Sequence, residues 1–246
     1  MQTAIITSDL HLGFDPVASI QFQKHKMLEH DPAVIIIAGD IGESVKNFRD
    51  CLSLFSDVKC PVGVIIGNHD LYAYDKRYPS EELWTKVLPR IVRKLGLVWM
   101  EEENIIINGT AFVGTVGWYD YSSKTLKVSD RFYEEEKGAF VSDGSYIDWL
   151  RTDKDFAAEL LAGLVKRLEN AQNDPAVRRI IVVTHVPLFK EQMVRHGSDN
   201  PYADAYFGNF TMGKEVLKFS KVTDVISGHT HRKIDEMVGN IKVQVV

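Results

Sequence analysis

Five short apolar runs in this chain end directly in residues able to bind a metal ion. Ala4-Ile5-Ile6 leads to Asp9 and His11, and Val34-Ile35-Ile36-Ile37-Ala38 leads to Asp40. Val62-Gly63-Val64-Ile65-Ile66 leads to Asn68 and His69, Ile180-Ile181-Val182-Val183 to His185, and Val222-Thr223-Asp224-Val225-Ile226 to His229 and His231. These positions offer carboxylates, a carboxamide and imidazoles, with no cysteine among them. Imidazole suits Zn, Fe, Co or Ni, carboxylate and carboxamide oxygens suit Mg or Mn, and the missing thiolate argues against a closed structural zinc site. Mn, Fe and Zn all satisfy such a set, and Mg is admitted. The donors exceed the needs of one tetrahedral ion, whereas two ions about 3.5 to 4 Å apart, sharing a carboxylate, would use most of them. Asp40 is the natural bridge, because it follows a wholly apolar strand through Gly39, which has no Cβ to obstruct a tight turn. Two divalent ions against two ligating carboxylates leave a positive centre that attracts phosphate esters. Metal binding also lowers the pKa of water from about 15.7 towards about 7, supplying a nucleophile without an activated Ser or Cys.

The elements that must position these residues follow from the same runs. Each is short enough for a buried strand and too short for a typical helix. In open α/β sheets ligands bind outside the carboxyl ends of the strands, so residues placed just after five strands converge on one edge. Helical patterns separate the strands. One covers Glu43 to Asp57, with Val45, Phe48, Leu52 and Phe55 on one face. Ser80 caps a second that runs through Leu83, Val87, Ile91 and Leu95 to Gly96, with a kink expected at Pro89. Thr152 with Asp155 opens a third, whose apolar face is Phe156, Leu160, Leu164 and Leu168. Hairpins turn at Asn108-Gly109 and Gly239-Asn240. Alternating strands and helices give an α/β class, and the expectation is one domain over residues 1–246.

Read together, Asp9-Leu10-His11, Gly39-Asp40, Gly67-Asn68-His69-Asp70, Thr184-His185 and Gly228-His229-Thr230-His231 resemble the calcineurin-like metallophosphoesterase superfamily, in that family's order. The resemblance implies a first metal held by Asp9, His11, Asp40 and His231. Asp40 would bridge to a second metal held by Asn68, His185 and His229. His69 would not ligate but would stand beside the leaving-group oxygen as general acid, oriented by Asp70. The implied fold is a four-layer αββα sandwich of two mixed β-sheets, with the dinuclear site at the C-terminal ends of the strands. The implied reaction is hydrolysis of a phosphodiester or phosphomonoester by in-line attack of a metal-bridging hydroxide. Family members commonly continue through several strands after the last histidine motif, whereas here the sequence stops soon after His231, as expected of a compact branch or a trimmed chain.

Several branches of the superfamily fit poorly. Its protein phosphatases carry Asp-Arg-Gly after the bridging aspartate, where this chain has Gly42-Glu43-Ser44; lipid A pathway hydrolases place Arg where His69 stands; and secreted nucleotidases carry a second domain. A small cytoplasmic phosphodiesterase or nucleotide phosphohydrolase is the expectation. The alternative is a noncatalytic, metal-stabilised interaction module, a fate that in this superfamily accompanies loss of the general-acid histidine.

Composition agrees. Apolar residues make up 45% of the 246, enough for a substantial core, and a net charge of −5 disfavours nucleic acid as partner. Met1 leads almost at once into the first strand, leaving no room for a signal peptide, and no apolar run reaches membrane-spanning length, so a cytoplasmic location is expected. Cys51 and Cys60 read as small core residues rather than a pair. His25 and His30 lie in a polar helix-like stretch, and His196 sits in a loop after His185 where it could reach substrate. The runs Glu101-Glu102-Glu103 and Glu134-Glu135-Glu136 read as solvated faces. Two aromatic-rich segments, Trp118 to Trp149 and Phe189 to Phe210, either pack as local caps or stack on substrate. No Arg lies inside a metal motif to neutralise the extra charge of a monoester, so a diester with a second ester group stacked on Trp118 or Tyr121 is favoured.

Overall fold

The structure, a computed structural model, describes residues 3–74, 76–194 and 200–246. Its β-branched runs form two sheets. β1 (Thr3–Thr7), β2 (Pro32–Ala38), β3 (Val62–Ile65) and β4 (Val98–Trp99) pair in that order, all parallel. Parallel neighbours need crossovers. α1 (Val17–Leu28) and α2 (Val45–Ser53) supply two of them, and a helical stretch made of α3 (Ser80–Glu82), a π-helical turn (Leu83–Val87) and α4 (Leu88–Lys94) supplies the third.

The second sheet has the order β5-β6-β7-β8-β10-β9, built from β5 (Ile105–Ile107), β6 (Thr110–Thr115), β7 (Arg179–Thr184), β8 (Val222–Ser227), β9 (Ile234–Val238) and β10 (Ile241–Val245). Only this sheet is mixed. The expectation of two mixed sheets fails because both hairpins, β5–β6 and β9–β10, fall in the same one. Asn108 and Gly109 take φ of 51° and 78°, as a two-residue hairpin turn requires. Between β6 and β7 the chain forms α5 (Asp130–Glu136), α6 (Asp143–Tyr146) and α7 (Asp153–Asn173), and α8 (Phe210–Val216) precedes β8.

Strand alternation sorts the layers. Val34, Ile36 and Ala38 of β2 join Phe112 of β6 and Ile181 and Val183 of β7 in the apolar layer between the sheets. Ile35 and Ile37, on the opposite face, join Ile20 of α1 and Phe48 and Leu52 of α2. On the far side, Phe156, Leu160, Leu164 and Leu168 of α7 are buried against the second sheet, completing the four layers.

Local chemistry sets the helix ends. Ser44 Oγ accepts the Asn47 N–H at 3.1 Å, so α2 starts at Val45 and Glu43 stays outside the helix that the sequence pattern assigned to it. Thr152 caps α7 in the same way through the Asp155 N–H. Ser80 is not a cap but the first residue of α3, its hydroxyl donating to the Leu71 carbonyl. The irregularity expected at Pro89 takes the form of the π-helical turn just before it, which accommodates a ring that clashes with the preceding turn and lacks an N–H. Cys51 is buried, with its thiol pushed up to about 12, and Cys60 is half-buried; both are free thiols. No described helix is long and apolar enough to cross a membrane.

Candidate metal centre

The loops that leave β1, β2, β3, β7 and β8 at their carboxyl ends meet at one edge, tied by their own backbones. The Asp9 N–H donates to the Gly39 carbonyl at 3.0 Å, the His11 N–H to Asp40 at 2.9 Å and the Gly228 N–H to His185 at 3.0 Å. Asp9, His11, Asp40, His229 and His231 take φ of 56°, 41°, 51°, 71° and 51°, a left-handed conformation that costs about 1–2 kcal/mol per non-glycine residue. Strain of this kind persists where surrounding structure over-determines it, and it gathers at functional sites.

Among the described residues three groups could hold a metal ion; two of them share Asp40, and the third is His11, Glu43 and His69. In the first, His231 Nε2 lies 3.3 Å from Asp9 Oδ1 and 3.3 Å from His11 Nε2, which is 3.6 Å from Asp40 Oδ2. In the second, His185 Nε2 lies 3.4 Å from the same Asp40 oxygen, 3.1 Å from Asn68 Oδ1 and 3.2 Å from His229 Nδ1. One carboxylate oxygen thus stands between two nitrogen-rich pockets, the arrangement a bridging ligand needs. The donor set fits divalent ions in a second respect. His185 Nδ1 lies 2.9 Å from the Ala38 carbonyl and His11 Nδ1 2.7 Å from Glu43 Oε1, so each ring donates its δ N–H outward and presents Nε2 on the Asp40 side, where a metal ion would replace any proton it carries.

Electrostatics point the same way. Burial pushes the Asp40 carboxyl up, but the charge and hydrogen bond of His185, with the charges of His69 and His11, outweigh it and hold the group well below the ordinary carboxylate range. Burial pushes His185 down, and Asp40 reverses this to about 9. His229 is driven the other way, to about 4, by burial and the neighbouring charge of His185. Asp40 is thereby held ionised, and the proton favoured on His185 occupies the place that a metal ion would take.

His69 is close to this cluster but turned to another partner. Its backbone N–H donates to Asp40 Oδ1 at 3.0 Å and its Nδ1 lies 3.1 Å from Glu43 Oε2. Burial lowers its pKa, but the Glu43 bond and the charge of Asp40 raise it to about 8. Asp70 does not orient this ring. Its carboxylate accepts the backbone N–H groups of Ile41, Gly42 and Gly67 at 2.9, 3.1 and 2.9 Å, which locks the loop after β2 to the loop after β3. The orienting carboxylate is Glu43, released by the Ser44 cap and shared between His11 and His69. Glu43 had a signal in sequence, as the single acidic residue in the turn Ile41 to Ser44.

A cleft of about 280 Å³ opens on the cluster, walled by Tyr72, Phe140, Tyr206 and Phe207, with Ser142 and Asn200 at its polar side. Trp118 and Tyr121, expected as stacking residues, are buried instead, at 0% and 1% exposure. Trp118 Nε1 and Tyr121 OH both donate to Asp153, at 2.8 and 2.6 Å, because a buried ring must satisfy its polar atom inside the protein. Phe140, from the same segment, does reach the cleft. Glu101 and Glu134 are likewise turned inward: Glu101 accepts the Val116 N–H and pairs with Arg167, and half-buried Glu134 lies 2.7 Å from the Tyr121 hydroxyl. His25 is exposed near Glu29, and His30 is exposed, as a polar helix face predicts. His196 lies outside the described residues.

The sequence profile of the calcineurin-like phosphoesterases matches residues 3–233. The chain belongs to the calcineurin-like phosphoesterase family. This phosphoesterase resembles solved structures along its whole length. With phosphopantetheinyl hydrolase from Mycobacterium tuberculosis it shares 20% identity and a TM-score of 0.77, over 100% of this chain and 89% of that one. With a dimetal phosphatase from Danio rerio it shares 12% identity and a TM-score of 0.61, over 99% and 86%. A putative 5'-nucleotidase from Staphylococcus aureus gives 13% identity and a TM-score of 0.52, over 98% of this chain but 48% of that one. No curated protein sequence matches. As a member of this family the chain is a phosphoester hydrolase, and family membership and the ligand-rich cluster agree on divalent metal ions as cofactors.

Proposed function

We propose that this phosphoesterase hydrolyses a small phosphodiester, with nucleotides among the candidate substrates, using two divalent ions held by Asp9, His11, Asp40 and His231 on one side and by Asp40, Asn68, His185 and His229 on the other. The observation that carries the diester reading is the cleft lining: among its described residues there is no Lys or Arg. A monoester dianion calls for a further cation beyond the metals, ordinarily a bidentate Arg, whereas a diester monoanion does not. The aromatic walls offer the second ester group an apolar surface. The dimetal phosphatase and the nucleotidase among the structural neighbours lend support to two metals and to a nucleotide respectively.

When bound, the ions supply a nucleophile at neutral pH and neutralise phosphoryl charge. The chain's own residues do the rest. His69 holds a proton, its charge favoured by Glu43 and Asp40, and delivers it to the departing oxygen. Asp40 accepts the backbone N–H of His69 and so ties the loop that carries the general acid to the metal pockets. A noncatalytic role would leave this placement of His69 without purpose. The test is turnover of bis(p-nitrophenyl) phosphate against p-nitrophenyl phosphate with Mn(II), with and without chelator. We expect the diester to be preferred in kcat/KM and chelation to abolish both activities. A monoester preference of roughly tenfold or more would overturn the diester reading.

A further inference from the structure

Asn68 is the weakest donor of the second pocket and the one whose usefulness depends on which way its amide points, since only the oxygen can bind a cation. Its surroundings decide this. Asn68 Nδ2 donates to Asp143 Oδ1 at 2.8 Å, and its oxygen is thereby turned to His185 Nε2 at 3.1 Å. A carboxylate accepts and does not donate, so it selects the NH2 side of the amide. Asp143 is itself buried, 3% exposed, and held from two other directions by the hydroxyls of Tyr72 at 2.6 Å and Tyr119 at 2.8 Å. It opens α6, directly after the cleft-lining stretch Phe140 to Ser142, and so belongs to a segment that carries none of the metal motifs.

We propose that Asp143 is a positioning residue of the metal centre: it fixes the Asn68 amide with its oxygen towards His185, so that the second metal pocket is completed by the cleft wall. This rests on reading Asn68 as a ligand. Removing a carboxylate that orients a ligand lowers metal affinity by roughly 10- to 100-fold. A general loss of structure would instead weaken both pockets together.

The test is Mn(II) titration of the metal-free protein, followed by the EPR signal of free Mn(II), beside thermal unfolding of each variant. Asp143→Ala should weaken one class of Mn(II) by roughly 10- to 100-fold and leave the other unchanged. Asp143→Asn, which keeps the shape and one acceptor oxygen, should lose less at the same class. Tyr119→Phe, which leaves the Asn68 bond intact, should keep both classes. If Asp143→Ala does not fold, selective weakening in Asp143→Asn carries the same meaning. Wild-type affinity at both classes in the Asp143 variants, or equal weakening of both in step with a lowered Tm, would overturn the proposal. Asn68→Ala is the reference: it should lose the same class, and if it keeps both, the ligand reading itself falls and the positioning role with it.

Discussion

At the scale of single residues the most informative group is Glu43, whose two oxygens serve His11 and His69 separately. Glu43→Gln removes the charge that holds both rings, so metal affinity and the protonation of the general acid should suffer together; a loss of roughly 10- to 100-fold in Mn(II) affinity is expected, and a calorimetric titration checks it. His69→Ala separates the two effects. It should keep both metals yet lose about 10²- to 10⁴-fold in kcat, with the loss shrinking for nitrophenolate leaving groups that need little protonation. Equal losses for alkyl and aryl esters would remove His69 from the role of acid. The metal-rich positions were legible in sequence because a short apolar run followed by Asp or His is a local pattern. Glu43 as an orienting group was not, because its role depends on the ring three-dimensionally opposite it, and Asp70, adjacent to His69 in sequence, drew the assignment although its bonds run to backbone amides.

At the scale of elements, the strand-to-loop junctions carry the geometry, and a glycine there differs in kind from one at the end of a helix. A Cβ at Gly67 would fall on the Asp40 carboxylate and backbone, whereas Gly96, at φ 73°, has open space around it. Gly67→Ala should therefore displace Asp40 and lower kcat by about 10²-fold or more, the scale of a misplacement near 1 Å. Gly96→Ala should cost about 1–2 kcal/mol of stability through its left-handed φ and leave kcat unchanged. Denaturant unfolding paired with steady-state kinetics reads both. The strands themselves were visible as β-branched runs, and the helix faces as 3.6-residue patterns. The pairing of sheets was not, since which strands a hairpin joins is set by packing between layers rather than by the turn sequence that creates it.

At the scale of the molecule, the segment from Trp118 to Trp149 is a cap folded over a polar core of its own. Asp153, with no exposure, accepts both carboxylate bonds of Lys137 at 2.9 Å together with Trp118 and Tyr121. Removing one partner of a buried pair costs about 3–5 kcal/mol, so Asp153→Ala should lower Tm markedly, raise KM by loosening the Phe140 wall and, because Asp143 belongs to the same cap, weaken the Asn68 pocket more than the Asp9 pocket. Unchanged metal affinity at both pockets in that variant would mean that the cap and the centre are separate units. Aromatic content alone did not distinguish buried rings from cleft walls, because both uses draw on the same side chains and only the placement of their hydroxyl partners separates them. The centre as a whole hangs on Asp40, the one oxygen shared by the two pockets. The decisive measurement is elemental analysis and bis(p-nitrophenyl) phosphate turnover of Asp40→Asn beside the wild type: a bridged dinuclear centre predicts about two Mn per wild-type chain, reduced occupancy at both pockets in the variant and no activity, whereas two full equivalents with near-normal turnover in the variant would contradict it.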